Sequence, residues 1–401
     1  MSVSILNNCF GLVKVSYLKT EYSQGKVIFW VRLRERRCAN CQSFNVIQKG
    51  KLNRVLHTVP VGSKLVSINL EIRRFLCLDC GICAQESFNH IASPKKHYTK
   101  RLASFVCSLY SHMTVKDIAQ YLHLHWNTVW EILSKDLKKS IPKGRELRKL
   151  RRIGIDEISI RKGHSYLTLV IDHDTGRVVH VAAGRNIQSI RSFLKRLRKL
   201  KAPVEVITTD MWIPYISAIM DILPKSHIVF DKFHIIALLN RSIDELRREE
   251  YWLYSKTERD IIKGTRFLLF KHAANLTEPA KEKLKRLLLV NKNLAVCYEM
   301  KEMLYQFWEC STKEEARSFL EQWSKMAYTS TIQPLIKFAN QLLAFKTAVL
   351  NYFEYPYTNA LIEGINNKIK VFKRQVYGFR NLKNFYLKIY SIHKSRYALI
   401  G

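Results

Sequence analysis

The sequence has 401 residues, of which 67 are Lys or Arg and 33 Asp or Glu, giving a formal net charge of +34, and 47% are hydrophobic. Such length and apolar content exclude a disordered chain and allow two or three domains with at least one full core. The charge points first to nucleic acid and second to an anionic membrane surface as partner.

No apolar run approaches the ~18 residues that a membrane span needs. The start, MSVSILNNCFGLVKV, has no basic region ahead of a clean apolar core, which reads against a secretion signal and for a cytoplasmic address. The first predicted elements are strands at residues 27–34 (VIFWVRLR) and 64–74 (KLVSINLEIRR), β-branched and partly alternating. Nine cysteines is an odd count, and five fall between Cys38 and Cys83. In a reducing compartment that clustering favours metal over disulfides. Cys38-Ala-Asn-Cys41 and Cys77-Leu-Asp-Cys80 are two C-x2-C knuckles separated by 35 residues. Four thiolates suit tetrahedral Zn²⁺, and the strands between them fit a zinc ribbon with a closed, structural ligand set. Cys83 is the alternative fourth ligand. Gly81 directly after Cys80 allows the tight turn of a knuckle and favours Cys80. The competing reading is a set of small buried hydrophobes, which suits Cys9, Cys107, Cys297 and Cys310 better.

From residue 98 to 137 the pattern turns helical. TVKDIAQYLHLHWNTVWEIL, residues 114–133, has apolar residues at Val115, Ile118, Ala119, Leu122, Leu124, Val129 and Leu133. Thr114 is placed to cap a first helix, and Ala119 is small where two helices would cross. Asn127, Thr128, Trp130 and Glu131 would project from a second helix toward a major groove, which makes a helix-turn-helix. His123 stands where such a turn usually has glycine. An ordinary helical hairpin is the competing reading; the basic neighbourhood favours DNA. Residues 139–152 (KSIPKGRELRKLRR), with Pro142, Gly144 and many cations, read as a linker lying on phosphate.

Beyond it come strands at residues 152–160 (RIGIDEISI), 166–172 (YLTLVID) and 177–183 (RVVHVAA). A basic amphipathic helix at 187–201 follows, then a buried-type strand at 204–209 ending on Asp210, a helix at 213–222 and a strand at 227–230 (HIVF). Three meandering strands, helix, strand, helix, strand is the order of the ribonuclease H-like fold, by analogy of pattern. Helical periodicity dominates from residue 232 to 353, without tandem repeat or low-complexity tract.

Asp156 and Glu157 are adjacent on the first of these strands, so only one of them faces a given side; Ile153, Ile155 and Ile158 leave open which. In this fold the first and fourth strands are neighbours, so Asp156 and Asp210 would meet. Clustered carboxylates repel unless a cation lies between them. Mg²⁺ (or Mn²⁺) is the hard ion that such oxygen ligands select. A third carboxylate would complete a two-metal site for in-line attack at phosphorus. Asp231, ending the fifth strand, is the runner-up for Asp210, and either residue alone reads as a turn or cap. Trp212 reads first as core and second as a platform for an unstacked base.

Residues 358–380 read TNALIEGINNKIKVFKRQVYGFR. As a helix, this stretch puts Leu361, Ile365, Ile369, Phe372 and Val376 on one face and Glu363, Asn367, Lys370 and Arg374 on the opposite one. One carboxylate for metal followed by an amide and cations for phosphate suits the holding of a DNA end, with Lys373 and Arg380 as further contacts. The plainer reading is the wet face of an amphipathic helix.

GIDEISIRKGHSY (154–166), TTDMWIPY (208–215), FDKFHII (230–236) and NALIEGINNKIKVFKRQVYGFRN (359–381) resemble the bacterial insertion-sequence transposases of the ISL-three family. The resemblance spans nearly the whole chain; the cysteine region is similar to that family's zinc finger and residues 114–133 to its helix-turn-helix. It implies an Asp-Asp-Glu site in which Asp156, Asp210 and Glu363 are the catalytic acids and hold the metal, and a structural or DNA-contacting role, not a metal-binding one, for Asp231 and His234. His123 and Cys83 depart from the family pattern.

The expected architecture is a multidomain α/β chain. A zinc ribbon (1–97), a helix-turn-helix (98–138) and a basic linker (139–151) precede a ribonuclease H-like core with a mixed five-stranded sheet (152–239 and 352–401). An all-helical insertion (240–351) interrupts that core. The expected activity is that of a DNA transposase: binding terminal inverted repeats, cutting DNA, and joining 3′-hydroxyl ends to target DNA. Acting on two ends implies a homodimer or higher oligomer on double-stranded DNA, in the cytoplasm with the nucleoid. The competing functions are a non-catalytic DNA-binding regulator and a structure-selective nuclease.

Overall fold

The computed structural model describes residues 3–161, 165–376 and 381–392. The chain divides into two compact units, residues 1–140 with 375–387 and residues 141–374 with 388–401.

In the first unit, α1 (Val3–Phe10) precedes β1 (Val15–Ser23), β2 (Lys26–Leu33), β3 (Val46–Val61), β4 (Lys64–Cys77) and β5 (Cys83–Gln85). The sheet order is β1-β2-β4-β3, with β5 paired to β4. The β1–β2 hairpin turns on Gln24 and Gly25, at φ 49° and 74°. Two positive φ values give the turn a twist that matches the strands. β2 and β4 correspond to the two expected strands. β1 and β3 have no counterpart in the sequence reading, because β3 is exposed along most of its length and carries no apolar alternation. Leu6, Phe10, Phe29, Leu56, Ile68 and Leu70 are among the core residues. Helices α2 (Lys100–Leu109), α3 (Val115–Tyr121) and α4 (Trp126–Leu137) follow.

One ion pair in this unit is fully interior. Arg73 and Glu86 are 6% and 5% exposed. The guanidinium grips the carboxylate through Nε–Oε2 at 3.0 Å and Nη2–Oε1 at 2.6 Å, and Nη2 also donates to the Leu33 carbonyl at 2.8 Å. The pair thereby links the ends of β2 and β4 to the segment after β5.

The second unit begins with α5 (Gly144–Leu147), then β6 (Arg152–Arg161), β7 (Ser165–Asp172), β8 (Val178–Ala183), α6 (Ile187–Lys199), β9 (Val206–Thr209), α7 (Ile213–Ile222) and β10 (His227–Phe230). These five strands form one mixed sheet of order β10-β9-β6-β7-β8. β7 runs antiparallel to both β6 and β8, and β9 and β10 join β6 in parallel. Helices α8 (Lys232–Leu253), α9 (Lys256–Ile262), α10 (Arg266–Phe270), α11 (Glu278–Val290), α12 (Lys292–Gln306), α13 (Lys313–Thr329), α14 (Gln333–Ala344) and α15 (Lys346–Leu350) come next. One apolar core runs from Ile155, Ile207 and Phe230 of the sheet to Leu304, Trp323 and Phe338 of the helices. Then follow α16 (Ala360–Gln375), in this unit up to residue 374, and α17 (Leu382–Ser391), of which residues 382–387 belong to the first unit and 388–391 to the second. No helix among the described residues is long and apolar enough to cross a membrane.

Of the four cysteines expected to be buried hydrophobes, only Cys297 is; Cys107 and Cys310 are half-buried and Cys9 is exposed. Cys9 and Cys107 lie on helices α1 and α2, and Cys310 lies after the turn Phe307–Glu309, partly packed on the apolar core.

Removing one partner of the Arg73–Glu86 pair strands a buried charge. Arg73→Met or Glu86→Leu alone should lower the opening free energy of β4 amides in native-state hydrogen exchange by about 3–5 kcal/mol. The double replacement should cost less than either single one. Single replacements that leave β4 protection unchanged would contradict this role.

Candidate active site and metal centre

The site in the second unit follows from strand register. β6 pairs with β9 so that Gly154 stands opposite Thr208. Two residues further along both strands are Asp156, within β6, and Asp210, just past the end of β9. Residues two apart on a strand share a face, so the pair arrives at the same level on the same side. Gly154 is needed for this approach: a Cβ there would meet His173 Nε2 at 2.9 Å and Thr208 Oγ1 at 3.0 Å.

The third member of the group is His234, on the first turn of α8, whose Nε2 lies 2.9 Å from Asp210 Oδ1. One ligand atom each from Asp156, Asp210 and His234 lie within 4.8 Å of one another. The His234 contact is close enough for an ion pair but lacks hydrogen-bond alignment, so Asp210 Oδ1 is buried without a hydrogen bond. Burial first, and then the charge of Asp210, push the Asp156 carboxyl up to about 7. Burial opposes a proton on His234, but Asp210, Asp156 and Asp231 outweigh it and raise its pKa above the ordinary imidazole value. An orphaned buried oxygen beside a carboxylate that resists ionisation fits a hard divalent cation.

Glu157 points to the opposite face, where its buried carboxylate lies 3.3 Å from Arg185 Nε. Burial raises its pKa, and Arg185 acts against that rise. The Arg185 guanidinium also covers the ring of Trp212, 4.7 Å from its centroid. Trp212 is 36% exposed and so is not the core residue expected. It occupies the cap position of α7, outside the apolar layer. Asp231 is 2% exposed and engaged through both oxygens: Oδ1 accepts from Phe233 N–H at 2.7 Å, capping α8, and Oδ2 accepts from Asn359 N–H at 2.8 Å.

Helix α16 reaches the same place. Asn366 Nδ2 donates to Asp156 Oδ2 at 2.7 Å. Glu363, one turn earlier, is exposed and stands outside the Asp156–Asp210–His234 group. The buried face of the helix is Ile362, Ile365, Asn366 and Ile369, whereas Leu361 is 42% exposed. The apolar stripe is therefore turned from the one expected, because a polar residue, Asn366, takes part in the packing. Asn367, Lys370 and Arg374 are exposed. Lys373 is half-buried, and its Nζ donates to the Ile160 carbonyl at 2.6 Å. Arg380 lies outside the described residues.

In the first unit, ligand atoms of Cys38, Cys41, Cys77 and Cys80 lie within 4.8 Å of one another, and Cys83 is exposed outside that group. Each knuckle turns on a left-handed residue after its second cysteine: Gln42 at φ 61° and Gly81 at φ 70°. Asp79 ties the knuckles together by accepting from Asn45 Nδ2 at 2.7 Å and from the Ser43 hydroxyl. Backbone N–H donors of Cys41 and Asn40 lower the Cys38 thiol to about 7. The Ser43 N–H favours the Cys41 thiolate, but the sulfurs of Cys77, Cys80 and Cys38 push that thiol up to about 12. One thiol ionises readily and its neighbour then resists, as crowded sulfurs must without a cation between them.

Helix α3 starts with a capping box in which Thr114 and Asp117 satisfy each other's backbone. His123 adopts φ 48° and makes the turn that glycine would make. On α4, Asn127 and Glu131 are exposed and Thr128 and Trp130 half-buried. Trp126 and Trp130 stack with centroids 6.0 Å apart, and Glu131 is paired with Lys96.

Residues 153–389, more than half of the chain, match the transposase family profile of ISL3 type, and residues 86–136 match the helix-turn-helix domain of transposase family ISL3. The chain belongs to the ISL3 family of transposases. This transposase is 29% identical over 340 residues to the transposase for insertion sequence element IS1001 of Bordetella parapertussis, covering 84% of this chain and 83% of that one. It is 27% identical over 293 residues to the transposase for insertion sequence element IS1557 of Mycobacterium tuberculosis, covering 66% and 65%. The Drosophila P element transposase strand transfer complex aligns with a TM-score of 0.37 at 9% identity, over 74% of this chain and 91% of that one, too remote to argue from.

Asn366 is the member of the site that sequence reasoning missed. For His234, in FDKFHII, the expectation is a structural or DNA-contacting role and not a metal-binding one; the structure instead groups it with Asp156 and Asp210, as a candidate metal ligand. The raised Asp156 gives a direct check. A proton and a cation compete for that carboxylate, so affinity for Mn²⁺ should fall as pH drops below about 7. Calorimetry in buffers of different ionisation enthalpy should show proton release on binding near pH 6.5. Affinity that does not change between pH 6 and 8 would contradict the assignment.

Proposed function

We propose that this transposase binds the terminal inverted repeats of its insertion sequence, cuts DNA by metal-dependent phosphodiester hydrolysis, and joins the 3′-hydroxyl ends to target DNA. The observation that carries the reading is the meeting of Asp156 and Asp210 at one level of adjacent parallel strands, inside the family-matched segment. The sheet order, three antiparallel strands extended by two parallel ones, supports a ribonuclease H-like core.

Asp156, Asp210 and Glu363 would hold Mg²⁺ or Mn²⁺, with His234 at its edge. A divalent cation supplies a water of lowered pKa and neutralises charge on the phosphorane-like transition state. Asp156 and Asp210 come from the rigid sheet and fix the site's position. Glu363, on the exposed first turn of α16, approaches from the side of the substrate. The exposed Asn367, Lys370 and Arg374 follow along the helix and would hold the phosphodiester backbone in line. Lys373 would act through its hold on β6 before any phosphate contact.

In the first unit, Zn²⁺ on Cys38, Cys41, Cys77 and Cys80 would hold the knuckles together. Asn127, Thr128 and Trp130 on α4 would read the repeat. The domains would be a ribbon at 1–97, a helix-turn-helix at 98–138, a linker at 139–151, and a core at 152–239 and 352–401 around helices 240–351. Pairing two ends requires at least a homodimer on DNA, in the bacterial cytoplasm.

The test is a cleavage and joining assay with Mg²⁺ on labelled duplexes carrying the inverted repeat from the gene's flanks. Wild-type protein should cut and join. Asp156→Asn, Asp210→Asn and Glu363→Gln should each lower cutting by more than about 10³-fold while end binding persists. Binding without cutting by wild-type protein would make it a regulator, and cutting without joining a nuclease. Normal cutting by Glu363→Gln would remove Glu363 from the site.

A further inference from the structure

Helix α16 is attached to the sheet by polar side chains at three points. At its start, Asn359 gives its backbone N–H to Asp231 Oδ2 at 2.8 Å, and its Oδ1 accepts from the Thr208 hydroxyl at 2.7 Å. Two turns later, Asn366 Nδ2 donates to Asp156 Oδ2 at 2.7 Å. Two turns beyond that, Lys373 Nζ donates to the Ile160 carbonyl at 2.6 Å. Positions seven apart form one stripe along a helix.

The spacing also matches the strand. Seven helical residues rise about 10.5 Å, and the four residues from Asp156 to Ile160 on β6 rise about 13 Å. The helix therefore tracks β6, and its polar contacts select one register. A slip of one residue would turn the stripe by about 100° and break all three contacts.

Asn366 is not explained by stability. It is 5% exposed, and its Oδ1 is buried without a hydrogen bond. A half-satisfied carboxamide in a packed helix face is costlier than an apolar residue of the same size. What it provides is a donor fixed on the carboxylate of Asp156, whose other oxygen, Oδ1, accepts from Glu157 N–H at 2.7 Å. Glu363 lies four residues after Asn359 and three before Asn366, so the two asparagines bracket it on the same side of the helix.

We infer that Asn366 is a positioning residue of the active site: its amide holds Asp156 in one orientation and, with Asn359 and Lys373, fixes the register in which α16 carries Glu363. This rests on the reading of Asp156 and Asp210 as a cation site. Partners of this kind orient ligands, and their loss typically weakens metal affinity about 10–100-fold.

The test titrates Mn²⁺ alone into the full-length chain and follows free Mn²⁺ by electron paramagnetic resonance. Asn366→Ala should weaken binding about 10–100-fold while leaving the far-ultraviolet spectrum unchanged. Lys373→Met, which breaks a contact away from Asp156 and loosens only the far end of α16, should weaken Mn²⁺ binding clearly less than Asn366→Ala does and lower single-turnover cleavage. Wild-type Mn²⁺ affinity in Asn366→Ala overturns the inference, and so does an equal loss in Lys373→Met, which would reduce Asn366 to general helix docking. If Asn366→Ala does not fold, Asn366→Ser keeps one donor and should bind Mn²⁺ more weakly than wild type; unchanged affinity there overturns the inference equally. Asp156→Asn separates the two levels. If it binds Mn²⁺ as wild type does, the cation reading falls and this inference with it. If it loses binding while Asn366→Ala does not, the inference alone falls.

Discussion

Two carboxylates, Asp156 and Asp210, are forced together by the pairing of β6 with β9, and neither can move away. Burial and mutual repulsion hold the Asp156 carboxyl near 7, far above an ordinary aspartate. Folding has therefore stored an electrostatic conflict in the middle of the sheet. In the protein alone, His234 relieves part of it by pairing with Asp210. A divalent cation would relieve more of it, and the phosphodiester of DNA would then meet a site already organised for its charge.

The surroundings of the two acids serve that arrangement. Asp231, the other strand-end acid, is consumed as a structural clasp: one oxygen caps the helix that carries His234, and the other holds the start of the helix that carries Glu363. Glu157 is turned away and balanced by Arg185. Thus four neighbouring acids have three different occupations, set by the partners that each element brings: Asp156 and Asp210 face each other, Asp231 clasps two helices, and Glu157 is balanced by Arg185. The excess of cations in the sequence is not spread evenly over these tasks. On α16 they stand after the acid, on exposed turns, where phosphate is the natural counter-charge.

Much of this was legible in the sequence where the signal is local. β6, β7, β9 and β10 are short apolar runs, and three of them run into an aspartate, Asp172, Asp210 and Asp231, so the strands and the candidate acids could be read from RIGIDEISI, VITTD and HIVFD. The cysteine cluster was legible because two C-x2-C spacings are enough to bring pairs of sulfurs together. What was not legible depends on long-range packing. β3 is long but mostly exposed, so it lacks the alternation that marks a strand. The buried face of α16 is turned because Asn366 replaces an apolar residue in it, and nothing within the helix says that Asp156, 210 positions away, is its partner. The position of Trp212 depends in the same way on Arg185, which is far away in sequence.

The central claim is that β6, the end of β9, the start of α8 and α16 surround one cation. Iron-directed backbone cleavage tests it most directly: Fe²⁺ replaces the native ion and, with ascorbate and peroxide, generates radicals that cut the chain where the ion is bound. The account predicts cuts grouped around residues 156, 210, 234 and 363–366, competed by Mg²⁺ and lost in Asp210→Asn. Cuts confined to the cysteine knuckles, or cuts at the sheet that survive in Asp210→Asn, would contradict it.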